Sequence, residues 1–407
     1  MEKRNWELKY FCENDKYAVK SYCTIFDESE SKNLGDITKV DENEVPWVKM
    51  MSSGSPCQSF SISGKQEGAM WKCSDCGHEW NPLTIQPIKR RFCPVCGSEN
   101  HDHTKSAVLV DWLRILAKQK PDWFIYENVK NILGKKFKST FDSFINELRS
   151  YGYNTYYDVL NAKNYGVPQN RERLFIIGIK SNLDNGKFEF PKGFPLEKRF
   201  KDVLESNVDS KYYHSKAALD YMNRTVADGR THWDFGFAQN DTENEVAHCL
   251  TANLYKGVPY NVLVTHEPKE KKLYNIFNDE KFNGASFAGN VWDTNEISPA
   301  LRASTGGWSQ PMIEDQVETE IKLRKLTPRE CWRLMSFPEE VIDKVIASGM
   351  SNTQMYKQAG NAIVKDVPYY IFKELREVMP YLFEDLTVGS FFSGVGAIEM
   401  ALDKLMN

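Results

Sequence analysis

The sequence contains no run of about 18 apolar residues, the length a helix needs to cross a bilayer, so a membrane-spanning segment is not expected. Its opening, MEKRNWELKY, is too charged to act as a secretory signal, which points to the reducing cytoplasm. A disulfide framework is excluded on similar grounds. There are nine cysteines, an odd number, and only Cys73, Cys76, Cys93 and Cys96 are grouped. An excess of one charge is missing too: 52 Lys and Arg stand against 56 Asp and Glu, for a net charge of -4. That total neither indicates nor excludes a nucleic-acid partner, because binding depends on local basic surface. What is abundant is apolar material. With 407 residues, 41% apolar and 13% aromatic, the chain can bury a large core in two or three domains.

Strand and helix alternate from the N-terminus. WELKYFCEN, WVKMMSS, DWFIYEN, YNTYYDVLNA and RLFIIGIK read as strands, and DKYAVKSYCTIF and AVLVDWLRILAKQK as helices. A further helix carries Phe137, Phe141, Phe144, Ile145 and Leu148 on one stripe. This is α/β organisation with a doubly wound sheet. From about Phe190 to Ile321 the texture changes to short polar and glycine-rich stretches, read as a smaller, irregular β-rich domain. Helical patterns return at LTPRECWRLMSF and VPYYIFKELREVM, so the α/β domain is interrupted and closes near the C-terminus.

The last segment, DLTVGSFFSGVGAIEMALDKLMN, has a strand, a turn with Gly394 and Gly396, and an amphipathic helix, as a nucleotide-binding unit begins. A third glycine is missing: Glu399 stands in its place, which argues against NAD and favours a nucleoside-like ligand without a pyrophosphate. Such a turn expects an acidic residue about 20 residues further on, after the next strand. If residue 1 is imagined to follow residue 407, Glu13 takes that place.

Three further segments fall at expected strand ends, where open α/β sheets bind ligands. SGSPCQSF places Cys57 on a small polar loop, FIYENVKNI places Glu127 beyond a strand, and GVPQNRERLFIIG places Gln169, Arg171 and Arg173 before another. Taken singly, such a cysteine is packing and such arginines are surface charge; their combination changes the reading. Pro-Cys-Gln, Glu-Asn-Val, Q-x-R-x-R, QAGNAIVKDVPYYI and SFFSGVG together resemble the ordered motifs of the DNA (cytosine-5) methyltransferase family. The family begins with the F-x-G-x-G motif, whereas this chain carries it last, so it resembles a circularly permuted member. The fold implied is a permuted, doubly wound, Rossmann-like methyltransferase sheet.

The resemblance implies S-adenosylmethionine as methyl donor. Phe392 would lie against it, Gly394 and Gly396 would allow close backbone approach, and Glu13 would accept from the ribose hydroxyls. Asp36 would accept from the adenine amino group; Asn14, Ile37 and Pro56 would adjoin the pocket; Asn361 would close it. Ala362 departs from a serine common at its position. Cys57 would add to carbon 6 of cytosine, Glu127 would act at ring nitrogen 3, Arg173 would hold the exocyclic oxygen, and Arg171 would orient the loop or a phosphate. The base must leave the stacked helix to be reached.

Between the cysteine loop and the next helix, residues 69–103 include CSDCGHEWNPLTIQPIKRRFCPVCGSEN. Two C-x-x-C pairs separated by 16 residues match a closed four-thiolate, structural zinc ribbon, with His78, His101 and His103 as competing ligands. The insertion either meets DNA, through Lys89, Arg90, Arg91 and Trp80, or is a self-stabilised extension of the loop. The expected domains are residues 1–195 for the first catalytic part, 196–321 for target recognition, and 322–407 for the closing catalytic part. The further duplex DNA contacts expected are Gln58, Ser59 and Gln169, and in the recognition domain Thr251, Asn253, Arg302, Ser304 and Thr305. A monomer is expected, either with a cognate restriction endonuclease as a protein partner or in a solitary regulatory or phage-protective role. The alternatives are an RNA methyltransferase and a catalytically dead zinc-ribbon binding protein on the same scaffold.

Overall fold

The computed structural model describes residues 4–61, 66–212, 272–275, 290–292, 294, 297–299, 312–317 and 320–407. In chain order these form β1 (Glu7–Cys12), α1 (Lys16–Phe26), β2 (Met50–Ser53), β3 (Trp71–Cys73), β4 (Glu79–Trp80), β5 (His101–His103) and α2 (Leu109–Gln119). Then follow β6 (Trp123–Val129), α3 (Lys138–Ser150), β7 (Tyr153–Asn161), β8 (Glu172–Lys180), β9 (Lys272–Asn275), β10 (Asn290–Trp292), β11 (Met312–Val317) and β12 (Glu320–Lys325). The last elements are α4 (Pro328–Arg333), α5 (Glu339–Ala347), α6 (Asn352–Asn361), α7 (Asp366–Val378), β13 (Thr387–Phe391) and α8 (Ala397–Met406). None of the described helices is long and apolar enough to cross a membrane.

The chain divides into two compact units. The first runs to Leu160 and adds Glu172–Lys192 and Val367–Asn407. Its sheet has the order β1-β13-β2-β6-β8-β7. The pairs β1/β13, β13/β2 and β2/β6 are parallel, and β6/β8 is antiparallel. The centre of such a sheet is covered on both faces, which is why Trp123, Phe124, Ile125 and Tyr126 form an unbroken buried run rather than an alternating one. Helix α2 contributes Leu109, Trp112, Leu113 and Leu116 to the same core, and α3 contributes Phe141, Phe144 and Leu148. Asp15 starts α1 because its side chain accepts from the Tyr17 and Ala18 amides.

Strand β13 lies between β1 and β2 although it is last in the chain. The two ends of the chain are tied in the same way. The Trp6 indole donates to Asp403 at 2.9 Å, and Asn5 donates to the Met406 carbonyl at 2.8 Å.

The second unit comprises Asn161–Arg171 and Gly193–Asp366. Its described strands form a sheet ordered β12-β11-β10-β9, and α4 to α6 belong to it. Helix α4 begins with a capping box, Thr327 and Glu330 reciprocally bonded, with Pro328 in the first turn. The unit is held by Trp332 Nε1 donating to the Met355 carbonyl at 2.9 Å and Tyr356 Oη donating to the Leu326 carbonyl. The division therefore differs from the one read from the sequence. Residues 322–366 group with the smaller unit and not with the sheet, because these contacts close within it.

Candidate active site

The parallel strands set the site. Phe391 is in register with Cys12 and Ser53, and Ser53 with Tyr126, so β1, β13, β2 and β6 all end along one edge. The segments that follow β1, β13 and β2, containing Glu13, Phe392–Gly396 and Pro56–Cys57, emerge there together, beside Glu127 near the end of β6. Antiparallel β8 brings its amino end to the same edge, with Arg173 opposite Val129.

The turn after β13 is a tight one. Phe392, Gly394 and Gly396 have φ of 53°, 55° and 83°, the left-handed region that strains any residue but glycine. Phe392 accepts this conformation while its amide donates to the Cys12 carbonyl at 2.8 Å. At Gly396 a Cβ would lie 2.1 Å from the Phe26 ring, so only glycine fits; at Gly394 a Cβ would meet nothing within 4 Å. The Gly394 backbone thus borders open space beside the sheet edge. Its N–H donates to Glu13 Oε2 at 3.0 Å, and Glu13 Oε1 accepts from the Asp15 amide at 2.9 Å. Burial raises the Glu13 carboxyl above its ordinary value, while the amides of Asp15 and Gly394 pull it partly back. A positioned carboxylate beside an open glycine backbone suits a ligand that offers hydroxyl donors, such as a ribose.

Other residues around this turn divide into exposed and structural. Asn14 is exposed. Asp36 Oδ1 accepts from Thr38 N at 3.1 Å and Thr38 Oγ1 at 2.9 Å, so the side chain caps a short helical turn. Ile37 is buried in the main core with Cys12 and Phe391, which places its side chain in packing. Its carbonyl accepts from Arg114 of α2 at 3.0 Å, which holds the Asp36–Ile37 segment to the domain.

Cys57 is half-buried and follows Pro56 on the loop after β2. Its carbonyl accepts from the amides of Phe60 and Ser61, both at 2.9 Å, so the residue opens a tight turn. Among the other described cysteines outside the grouped four, Cys12 and Cys331 are buried. Burial pushes the Cys12 thiol up to about 12, which makes it inert as a nucleophile at neutral pH. On β6, Glu127 Oε1 pairs with Arg173 Nε at 3.1 Å, both side chains 12% exposed. The pair is a diagonal cross-strand contact, since Glu127 lies opposite Phe175 and Val129 opposite Arg173.

A buried polar cluster joins the cysteine loop to this strand. Ser55 Oγ and Tyr126 Oη are 2.6 Å apart, and Asn128 Nδ2 donates to Tyr126 Oη at 3.0 Å and to the Ser55 carbonyl at 3.3 Å. Ser55, Tyr126 and Asn128 thereby fix the start of the loop to the strand bearing Glu127. Sequence reasoning missed this cluster. Its signal was a tyrosine inside an otherwise apolar buried strand, which needs a partner for its hydroxyl.

Several expected contacts are placed otherwise. Gln169 is fully buried and donates to the Leu334 carbonyl at 2.6 Å, so it serves packing in the second unit and is not presented to DNA. Arg171, 3% exposed, donates to the carbonyls of Gly360 at 2.8 Å and Ala362 at 2.9 Å. It thereby holds the carboxyl end of α6, and its guanidinium is engaged within the protein. Asn361, the last residue of α6, is exposed, and Ala362 after it is half-buried. Gln58 is exposed; Ser59 is buried, with its amide donating to Ser106 Oγ at 3.0 Å. Thr251, Asn253, Arg302, Ser304 and Thr305 lie outside the described residues.

Residues 71–103 fold as a three-stranded sheet, β4-β3-β5, bearing two matching knuckles. The Gly77 amide donates to the Cys73 carbonyl and the Gly97 amide to the Cys93 carbonyl, each at 2.9 Å. All four sulfurs of Cys73, Cys76, Cys93 and Cys96 lie within 4.8 Å of one another, with 3.5 Å between Cys73 and Cys96 and 3.6 Å between Cys76 and Cys93. A tetrahedral zinc–thiolate site needs sulfurs about 3.8 Å apart, so the donor set and its spacing fit that metal. His78, His101 and His103 are outside this group; the His101 ring stacks on Trp71 at 4.1 Å.

Arg90 corrects the phosphate-contact expectation. It is 5% exposed and clamps Glu147 of α3 with both terminal nitrogens, while Nε donates to the Pro82 carbonyl at 2.6 Å. The guanidinium fork is consumed inside the protein by the buried Glu147 carboxylate of α3, which also accepts from the Tyr151 hydroxyl. Trp80 is buried as well, whereas Lys89 and Arg91 are exposed and Arg91 pairs with Glu99 at 2.7 Å.

Comparison with known proteins adds an independent line. The model of C-5 cytosine-specific DNA methylases matches residues 1–74 and 95–377, leaving out most of the four-cysteine segment and the β13 turn. The orphan methyltransferase M.SPBetaI of Bacillus phage SPbeta is 30% identical over 426 aligned positions, covering 91% of this chain and 92% of its own. The type II methyltransferase M2.ScrFI of Lactococcus lactis subsp. cremoris is 30% identical, covering 85% of this chain and 71% of its own. A crystal structure of a Spodoptera frugiperda DNMT2 mutant shares the fold, with a TM-score of 0.50, 16% identity, and 93% and 92% of the two chains covered.

Proposed function

The chain belongs to the C-5 cytosine-specific DNA methylase family and is a DNA methyltransferase, and from that premise we propose that it methylates carbon 5 of a cytosine within a specific duplex sequence, with Cys57 as nucleophile. The observation that carries the reading is the convergence, on one sheet edge, of Cys57, the Glu127–Arg173 pair and the Glu13–Gly394 turn.

Bound S-adenosylmethionine would supply a methyl group activated by a sulfonium. Glu13 would accept from its ribose, the Gly394 and Gly396 backbone would allow its approach, and Phe392 would pack against it. Carbon 5 of cytosine is a poor nucleophile, so the Cys57 thiolate adds at carbon 6 and converts the ring to an enamine. Glu127 stabilises the charge that develops at ring nitrogen 3, and Arg173, already paired with Glu127, orients it and reaches the exocyclic oxygen. After methyl transfer the carbon 5 proton leaves to a base and the Cys57–carbon 6 bond breaks, which restores the thiolate. A stacked base cannot be reached in this way, so the target cytosine is flipped out.

The position of β13 between β1 and β2, with a family match covering residues 1–377 outside one gap, supports circular permutation. The second unit is assigned to target recognition, and the four cysteines to one structural zinc ion. The type II relative brings in a cognate restriction endonuclease as the protein partner to look for. Tritium transfer from labelled S-adenosylmethionine to duplex DNA, followed by mapping of the modified base, tests the reading. Label at any position other than cytosine carbon 5, or in RNA alone, overturns it.

A further inference from the structure

We propose that the four-cysteine ribbon is a positioning element for the reaction: its metal fixes the two stems that hold the turn beginning at Cys57. The inference rests on the zinc reading and on the methyl-transfer reading above.

The ribbon leaves the fold at Gly68–Met70 and returns at Thr104–Ser106, and both stems grip the cysteine loop. The Gly68 amide donates to the Ser59 carbonyl at 2.9 Å, and the Ser59 amide donates to Ser106 Oγ at 3.0 Å. Thr104 locks the stems to each other. Its Oγ1 donates to the Gly68 carbonyl at 2.8 Å and accepts from the Met70 amide at 3.1 Å, and its own amide donates to the Met70 carbonyl at 2.9 Å. From there the β3/β5 ladder, with Trp71 opposite His103 and Cys73 opposite His101, runs without a break to the first metal ligand. A continuous set of hydrogen bonds thus joins Cys73 to the turn whose first residue is Cys57.

The far side of the ribbon is anchored too. Arg90 clamps Glu147, and Asn81 Nδ2 donates to Thr140 Oγ1 at 2.8 Å, so α3 receives the ribbon directly. Trp71, Cys73, Trp80, Leu83 and Cys93 belong to the same buried cluster as Trp112, Phe124 and Phe144 of the catalytic core. Two of the ribbon's exposed cations, Lys72 and Arg91, are paired with Glu79 and Glu99. An element this deeply built into the core acts through the loop it holds.

The full-length protein is first assayed for zinc and for methyl transfer, and then compared with Cys76→Ser/Cys96→Ser, which removes the two exposed ligands. The metal-free variant is expected to bind S-adenosylmethionine within about twofold of the parent and to lose about 100-fold in methyl transfer, the scale of a misplaced reacting group. Exchange of tritium from carbon 5 of labelled cytosine DNA without the methyl donor, which needs thiolate addition and protonation at carbon 5 but no methyl transfer, should fall in parallel. A metal-free variant that transfers methyl groups at the parent rate overturns the inference. Absence of zinc from the parent protein overturns the metal reading, and an inactive parent overturns the methyltransferase reading, so the three failures are distinct. Ser106→Ala keeps the metal and removes only the acceptor of the Ser59 amide. A loss of about fivefold in kcat, with KM for the donor unchanged and rescue by Ser106→Thr, supports the inference; parent kcat in Ser106→Ala overturns it even if the double variant fails to fold.

Discussion

Glu13 and Gly394 are 381 residues apart in the chain and joined by one hydrogen bond, from the glycine amide to the carboxylate at 3.0 Å. Burial raises the carboxyl of that glutamate, so its folded form holds a proton to higher pH than its unfolded form does. Stability that depends on this group is present below the unfolded value, about 4.3, and is lost as pH rises through the folded one. At neutral pH the ionised group therefore opposes folding, and what it offers in return is an acceptor for donor hydroxyls.

Glu13→Gln is accordingly expected to leave thermal stability at pH 7 unchanged or higher and to weaken S-adenosylmethionine binding by about 10- to 100-fold, the loss of a charged acceptor. In the parent protein, donor affinity should begin to fall on acidification at a pH above the ordinary carboxylate range. Calorimetric titrations at several pH values, beside melting curves, check both statements.

Cys57→Ser should abolish methyl transfer and carbon 5 tritium exchange while duplex binding survives, since the thiolate is needed only for addition at carbon 6. A serine variant that still yields 5-methylcytosine would remove Cys57 from the mechanism. Filter binding and label transfer measure the two arms.

Arg90→Ala leaves the buried Glu147 carboxylate with the Tyr151 hydroxyl but without its cation, and should destabilise the first unit by about 3–5 kcal/mol. Lys89→Ala and Arg91→Ala, which alter exposed side chains, should each change it by no more than about 0.5 kcal/mol. Denaturant titrations of the three variants separate a buried clamp from surface charge, and salt titrations of DNA binding should show no special role for Arg90.

Arg171→Lys removes the Nη2 group that donates to both the Gly360 and Ala362 carbonyls. It should raise protease sensitivity at the carboxyl end of α6 and destabilise the second unit by about 1–3 kcal/mol. Limited proteolysis read by mass spectrometry checks the position as well as the size of the effect.

The chain's local chemistry was legible without coordinates. The buried run in β6, the apolar stripe of α2 and the C-x-x-C knuckles each follow from spacing and side-chain type within a few residues. So did the meeting of Glu13 with the last turn, because a strand and turn that begin a nucleotide unit require an acidic neighbour that only the opposite terminus supplied. Charge was legible only as charge. Lys89, Arg90 and Arg91 look alike in sequence, and whether one is solvated or spent on a buried partner depends on Glu147, 57 residues away, which periodicity does not bring near. The same holds for Gln169 and Arg171, whose carbonyl partners lie between 165 and 191 residues further on. Composition and period thus settled which segments are strand, helix and knuckle, since those are decided by near neighbours. Which polar groups face solvent and which hold the fold together was left to tertiary packing, because a buried donor is defined by the distant acceptor that satisfies it.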